Sequence, residues 1–220
     1  PSNSGVRSDL ELGISRFRKG GPRGGTLHLL IGSNVHWWNA EAAYAATLAA
    51  LLQDAGHEVW VLTRPDSLNA EKLQARGLRI LTEIDLNSNN PLQWFRSYQQ
   101  LCDFLQTQQI DLIHAHRSEG YPLLAFARRK LGIPLVRTRG TARPLRQSWL
   151  NQKLYGDWTD ATIAVGEVVA QQLRNALDFP TGQPSVIYYP AEDSTGSGNI
   201  TGPDYRMEFG IPNDHTVLAF

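Results

Sequence analysis

The sequence predicts an α/β fold, a Rossmann-like parallel sheet with helices on both faces. Three observations predict it. Short runs of Val, Ile and Leu recur between residues 26 and 190, and they are continuous rather than alternating, as strands buried on both faces require. Segments between them carry apolar residues at helical spacing, with helix-start residues in front. Strands that alternate with helices pair in parallel and are joined by right-handed crossovers.

The first run is Leu27–Gly32. A helix is expected from Asn39 to Ala55. Asn39 is an N-cap type, Glu41 lies in the first turn where the helix dipole favours a negative charge, and Gly56 supplies the stop. Tyr44, Leu48, Leu51, Leu52 and Ala55 form its apolar stripe. The second strand is Glu58–Thr63. A short helix over Leu68–Ala75 leads to a strand over Leu78–Thr82, and a helix over Pro91–Gln108 leads to a strand over Ile110–His116. A helix over Tyr121–Leu131 precedes a strand over Pro134–Arg137, and a helix after Pro144 precedes Ala161–Val165. The last helix starts near Gly166 and the last strand is Ser185–Tyr189.

Texture changes at both ends. Residues 1–25 are polar and close on Gly20-Gly21-Pro22-Arg23-Gly24-Gly25, the composition of a flexible segment. A phosphate loop is disfavoured there, because no Gly-Lys-Ser/Thr follows and no strand precedes. The domain then spans 26–189. Residues 190–205, rich in Gly, Ser, Thr, Asp and Pro, read as a linker. Residues 206–220 open a second domain, truncated here, whose first strand is Thr216–Phe220.

Composition removes several classes. Lys+Arg and Asp+Glu both number 21, and 41% of residues are hydrophobic, which argues against a disordered chain and against a polyanion-coating protein. One cysteine, Cys102, gives neither a disulfide framework nor a Cys-rich zinc site. No run approaches the roughly 18 apolar residues of a spanning helix, and no secretory h-region is visible. The expected location is cytoplasmic.

An open parallel sheet binds ligands beyond the C-terminal strand ends, where the strand order reverses. With the usual strand order that point falls between the first strand and Ile110–His116, so the loops Gly32–Trp38 and His116–Gly120 should face each other. The first loop leads into a helix N-terminus, a site for oxyanions. Gly32 admits close backbone approach, and Ser33 and Asn34 add polar groups. Gly32 stands alone, so the Gly-x-Gly-x-x-Gly dinucleotide fingerprint is absent. Of Trp37 and Trp38, one is expected in the cleft, stacked on a sugar ring, and the other against the core, with the sequence not choosing between them. His114 and His116 share a strand face. His116, at the strand end, is expected either to contact substrate or to serve as a hydrogen-bonding residue of the strand end, with the sequence not choosing between them, and His114 to be structural; a metal is disfavoured, since no third ligand is evident nearby. Residues 128–153 hold eight basic residues and no acid: Arg128, Arg129, Lys130, Arg137, Arg139, Arg143, Arg146 and Lys153. Arg128–Lys130 read as a solvated helix face. Arg139, Arg143 and Arg146 read as binders of an anionic group at the cleft mouth, which a phosphate-bearing substrate or an anionic membrane surface would supply. Nucleic acid is disfavoured, because aromatics do not interleave with these charges.

An ordered set of segments resembles family 4 glycosyltransferases of the GT-B fold. The set comprises Leu27–Thr63 with Glu41 and Ala55-Gly56-His57-Glu58-Val59, then Ile110–His116 and Ile133–Arg139. Asp160–Val165 with Gly166-Glu167, Ser185–Tyr189, and Arg206 with Phe209-Gly210-Ile211-Pro212 complete it. The resemblance implies transfer of a sugar from a nucleotide-sugar co-substrate to a glycan or lipid-linked acceptor in cell envelope polysaccharide synthesis. It implies retention, no required metal and no further cofactor. It makes this chain the acceptor-binding half, inactive alone and peripheral at the inner face of the membrane. The implied site residues are Gly32, Ser33, Asn34, Trp37, Trp38, Glu41, His116, Arg117, Arg139 and Arg143. Two departures stand out. Trp37-Trp38-Asn39-Ala40 precede Glu41 where the family usually has paired glycines, and Gly140 stands where it often has a His. A nucleotide-sugar epimerase and a non-catalytic Rossmann-like binding module remain alternatives.

Overall fold

A computed structural model describes residues 25–86, 88, 90–180, 182–189 and 209–212. The expected segment 1–25 (save Gly25), the linker 190–205 and most of 206–220 lie outside the described residues. The chain divides into two compact units, Pro1–Tyr189 and Pro190–Phe220, and the described strands and helices all belong to the first.

Seven strands form one parallel sheet in the order β3-β2-β1-β4-β5-β6-β7. The strands are β1 (His28–Gly32), β2 (Glu58–Leu62), β3 (Arg79–Leu81), β4 (Leu112–Ala115), β5 (Leu135–Arg139), β6 (Ala161–Ala164) and β7 (Ser185–Val186). The helices are α1 (Ala40–Asp54), α2 (Leu68–Ala75), α3 (Pro91–Thr107), α4 (Tyr121–Leu131), α5 (Trp149–Asn151) and α6 (Glu167–Ala176); α5 widens into a π-helical turn over Gln152–Asp157. The Rossmann-like α/β architecture expected from the sequence is present.

Local chemistry sets the boundaries. Asn39 Oδ1 accepts the Ala42 N–H at 2.9 Å, and Ser67 Oγ accepts that of Ala70 at 3.1 Å, each satisfying a donor that the helix leaves free. Asn90 caps α3, with Pro91 in its first turn. Strand residues then sort by parity. Leu29, Ile31, Val59, Val61, Leu112 and Val136 pack under α1 and α2. Leu30, Leu62, Leu81, Ile113 and Leu135 pack against α3, α4 and α6, with Cys102 in that second layer.

Several boundaries differ from expectation. β5 runs on to Arg139, because β6 pairs with it as far as Arg139 opposite Ala164. The helix expected after Pro144 begins at Trp149, where Ser148 Oγ accepts the Asn151 N–H. β7 is two residues long, and Ile187–Tyr189 leave the sheet.

Gly120 and Gly132 bracket α4 at φ 76° and 71°. A Cβ on Gly120 would drive into the Leu86 side chain, whereas one on Gly132 meets nothing within 4 Å. Gly132→Ala should therefore cost about 1 kcal/mol, the left-handed strain alone. Gly120→Ala adds overpacking and should cost at least about 2 kcal/mol. Urea unfolding of the two variants measures the difference, and equal losses would contradict this packing.

Candidate functional site

The strand order turns between β1 and β4, the point where an open parallel sheet leaves a crevice at its C-terminal edge, with the β1–α1 and β4–α4 loops on either side. An ion pair ties its two sides. Arg117 Nη1 donates to Glu41 Oε2 at 2.6 Å, and the same guanidinium donates through Nε and Nη2 to Glu119 at 3.2 and 3.0 Å. Burial works to lower the Arg117 pKa, but the hydrogen bonds and charges of Glu41 and Glu119 outweigh it and hold the group above its ordinary value. Glu41 lies in the first turn of α1.

Aromatic rings wall the crevice behind this pair. Tyr44 of α1 has its ring centroid 4.6 Å from that of Tyr189 and 5.3 Å from His116. Tyr189 crosses from beyond β7 to reach it. The Tyr189 hydroxyl occupies the space that a Cβ on Gly140 would need, with the Glu41 side chain beside it. Gly140, which departs from the resembled pattern, thus makes room for Tyr189. Burial pushes the Tyr44 phenol up to about 12. Tyr189 also rises to about 12, first by burial and then by Glu41 and Tyr44, against an opposing pull from Arg117. Both phenols are neutral donors at physiological pH.

His114 and His116 share the face that the alternation predicts, with ring centroids 4.3 Å apart. His114 Nε2 and Thr138 Oγ1 are hydrogen-bonded at 2.8 Å, a structural contact. His116 corrects the expectation of an open substrate contact: its exposure is 0%, and neither ring nitrogen has a hydrogen-bond partner. Burial and then Arg137 push His114 down to about 3. Burial, His114 and Arg137 push His116 well below its ordinary value.

Other expected residues fall in different places. Gly32 has ordinary backbone angles, and a Cβ there would meet Leu124 Cδ1 at 3.0 Å. Its glycine makes room for α4. Ser33 and Asn34, in the β1–α1 loop, are buried, and Asn69 Nδ2 donates to the Ser33 carbonyl at 2.9 Å. The tryptophans separate: Trp37 is 63% exposed, whereas Trp38 packs against the core, with the Arg76 guanidinium 5.2 Å over its ring. Trp38 is therefore the core residue and Trp37 the open one.

The basic run does not form one face. Arg128 makes a two-pronged pair with Asp160 at 3.0 and 2.5 Å, Lys153 pairs with Asp157, Arg129 stacks over Trp158 and Lys130 over Tyr98. Arg139 is buried below the mouth where the sequence places it; its Nη2 donates to the Arg143 carbonyl at 2.6 Å. Arg143 and Arg146 are exposed in the β5–α5 loop. Sequence reasoning assigns no site role to Tyr44, Tyr189 or Tyr155. Tyr44 alone carries a signal, lying one turn from Glu41 on the same helix face.

The model of Glycosyltransferase Family 4 matches residues 42–193, more than half of the chain, and the chain belongs to that family. A glycosyltransferase from Rickettsia africae ESF-5 superposes with a TM-score of 0.68 at 14% identity, over 87% of this chain and 51% of its own. HepE from Anabaena, in complex with UDP-glucose, gives 0.66 at 16%, over 85% and 50%. MurG from Acinetobacter baumannii gives 0.56 at 15%, over 76% and 47%. The present chain thus spans about half the length of these structures, and the fold is that of the N-terminal half of a GT-B architecture. No curated protein matches the chain.

The buried histidines set a pH dependence. Their folded pKa values lie below the unfolded value, so the unfolded chain binds more protons and stability falls as pH drops below about 6.5. Between pH 7 and pH 5.5 the two together should cost about 2 kcal/mol. Unfolding titrations at the two pH values measure this. A His114→Asn, His116→Leu double variant should lose most of the slope, and an unchanged slope would remove these residues as its cause.

Proposed function

We propose that this chain is the acceptor-side half of a glycosyltransferase that moves a sugar from a nucleotide sugar to a hydroxyl of a glycan or lipid-linked acceptor. The observation that carries the reading is the Glu41–Arg117 pair spanning the strand-order reversal in a family 4 chain. HepE, of similar fold, binds UDP-glucose, which makes a uridine nucleotide the first donor to try. The accessible acceptor contacts are Trp37, whose exposed ring offers a stacking surface for a sugar, Glu41 as a hydroxyl acceptor, Arg117, and Arg143 for an anionic group. Reaction with retention, without a metal, suits a site where the leaving diphosphate is stabilised by backbone N–H groups and basic side chains. An anionic acceptor embedded in lipid would place the enzyme at the inner membrane face. Among the described residues no helix is long and apolar enough to cross a membrane.

Kinetics of the full-length enzyme with UDP-glucose and an acceptor test this. Trp37→Ala should raise the acceptor KM about fivefold, the loss of roughly 1 kcal/mol of stacking, with kcat little changed. Glu41→Gln should lower kcat/KM by a factor of about 10 or more, as expected for a charge-assisted contact of about 1.5–3 kcal/mol. EDTA should leave turnover unchanged. A free epimerised sugar in place of a glycoside, or full activity in both variants, would overturn the reading.

A further inference from the structure

Among the described residues, the most deeply buried guanidinium charges take no part in the crevice contacts. Arg137 and Arg139 lie two apart on β5 and point to the same face of the sheet, beneath the β5–α5 loop. Arg137 is 2% exposed and Arg139 5%. Three of their nitrogens, Arg137 Nε, Arg137 Nη1 and Arg139 Nε, are buried without a hydrogen-bond partner. Among the described residues no carboxylate pairs with either. Their surroundings are aromatic. The Arg137 guanidinium sits 4.8 Å over the Tyr121 ring and 6.0 Å from that of Tyr155, and Arg139 Nη1 donates to Tyr155 Oη at a long 3.4 Å.

A chain gains little by burying two like charges with no anion, since desolvation and mutual repulsion both oppose it. Cation–π contacts, the Arg143 carbonyl and the Tyr155 hydroxyl offset part of this and leave the three nitrogens idle. Tyr155 reports the same imbalance: burial raises its phenol, yet the charges and hydrogen bonds of Arg137 and Arg139 pull it below its ordinary value. Tyr155 is carried by the π-helical turn, a departure from regular helix that is frequent at functional sites.

We propose that Arg137 and Arg139, with Tyr155, form a binding site for an oxyanion, a phosphoryl group being the species their forked donors fit best. The oxyanion replaces the Arg143 carbonyl at Arg139 Nη2 and takes up the idle donors. The cover that must yield is residues 141–148, exposed except for Leu145. It is held by the Arg139–Arg143 bond, by Gln147 Nε2 donating to the Asn175 carbonyl at 3.2 Å and by Asn151 Nδ2 donating to the Arg146 carbonyl at 2.7 Å. Exposed Arg143 and Arg146 in that cover supply a positive approach. The site rests on the burial of unpaired charge and does not need the transfer reading.

Thermal unfolding of the full-length protein in rising inorganic phosphate, against chloride at equal ionic strength, tests it. A saturable rise in Tm is expected with phosphate and not with chloride. Arg137→Met and Arg139→Met should weaken half-saturation at least tenfold, which separates this site from any other phosphate site in the protein. Without phosphate both variants should be at least as stable as the parent, because a buried unpaired charge has been removed; an arginine kept for structure alone would instead leave them less stable. A sugar 1-phosphate that saturates at lower concentration than inorganic phosphate assigns the group to a substrate; equal concentrations assign it to free phosphate. Should either variant fail to fold, hydrogen exchange of the parent protein replaces it, with phosphate expected to protect residues 137–143 and 152–159. No phosphate response beyond chloride, a response unchanged in both variants, or no protection of those residues overturns the site.

Discussion

Every strand in this sheet runs the same way, and that constraint organises the molecule. Parallel strands return by crossovers, so every loop that follows a strand gathers at one edge of the sheet. The strand order turns between β1 and β4, which sends successive crossovers in opposite directions and leaves a crevice where they part. Glu41 and Arg117 bridge that crevice at 2.6 Å. The pair depends on backbone placement, since Glu41 is held in a first turn capped by Asn39 and Arg117 lies just beyond the end of β4. Tyr44, Tyr189 and Gly140 interlock behind it, so the rim is a built surface on a rigid floor.

Charge is handled differently on the two faces of the sheet. On the α1 face, the two histidines are kept neutral by burial, so the floor of the crevice carries no fixed charge and the ion pair at its rim dominates. On the α4 face, two arginines cannot escape charge by losing a proton, because guanidinium stays protonated. Sequence neighbours of opposite parity on β5 therefore meet opposite electrostatic settings: Thr138 bonds to a neutral imidazole, and the arginines on either side of it lie among tyrosines.

Much of the fold is legible in the sequence because its signals are local. Apolar runs mark the strands, and Asn39, Gly56 and the Tyr121–Leu131 pattern fix helices to within a residue or two. The reversal between the first and fourth strands follows once the usual order of such sheets is assumed, and the structure has that order there. The site is harder, because its shape is set by contacts distant in sequence. Nothing near Tyr189 says that it will lie on Tyr44. Nothing in Leu135–Arg139 says that Tyr155 will close over the arginines, so a residue expected at the mouth of the cleft lies in the core. His116 shows the same limit: strand parity gives its face correctly, but its burial depends on Tyr44 from another helix. Gly32 shows it for glycine, whose missing side chain makes room for Leu124 of a distant helix. Trp37 and Trp38 separate only when the core claims one ring.

The central claim is that the rim between β1 and β4 receives the acceptor. Hydrogen exchange on the full-length enzyme, with and without an acceptor that supports turnover, tests it most directly. The account predicts slowed exchange in residues 33–41 and 116–120, with the outer segments β3 and α2 unchanged. Protection confined to other surfaces, with those two loops exchanging as before, would contradict it.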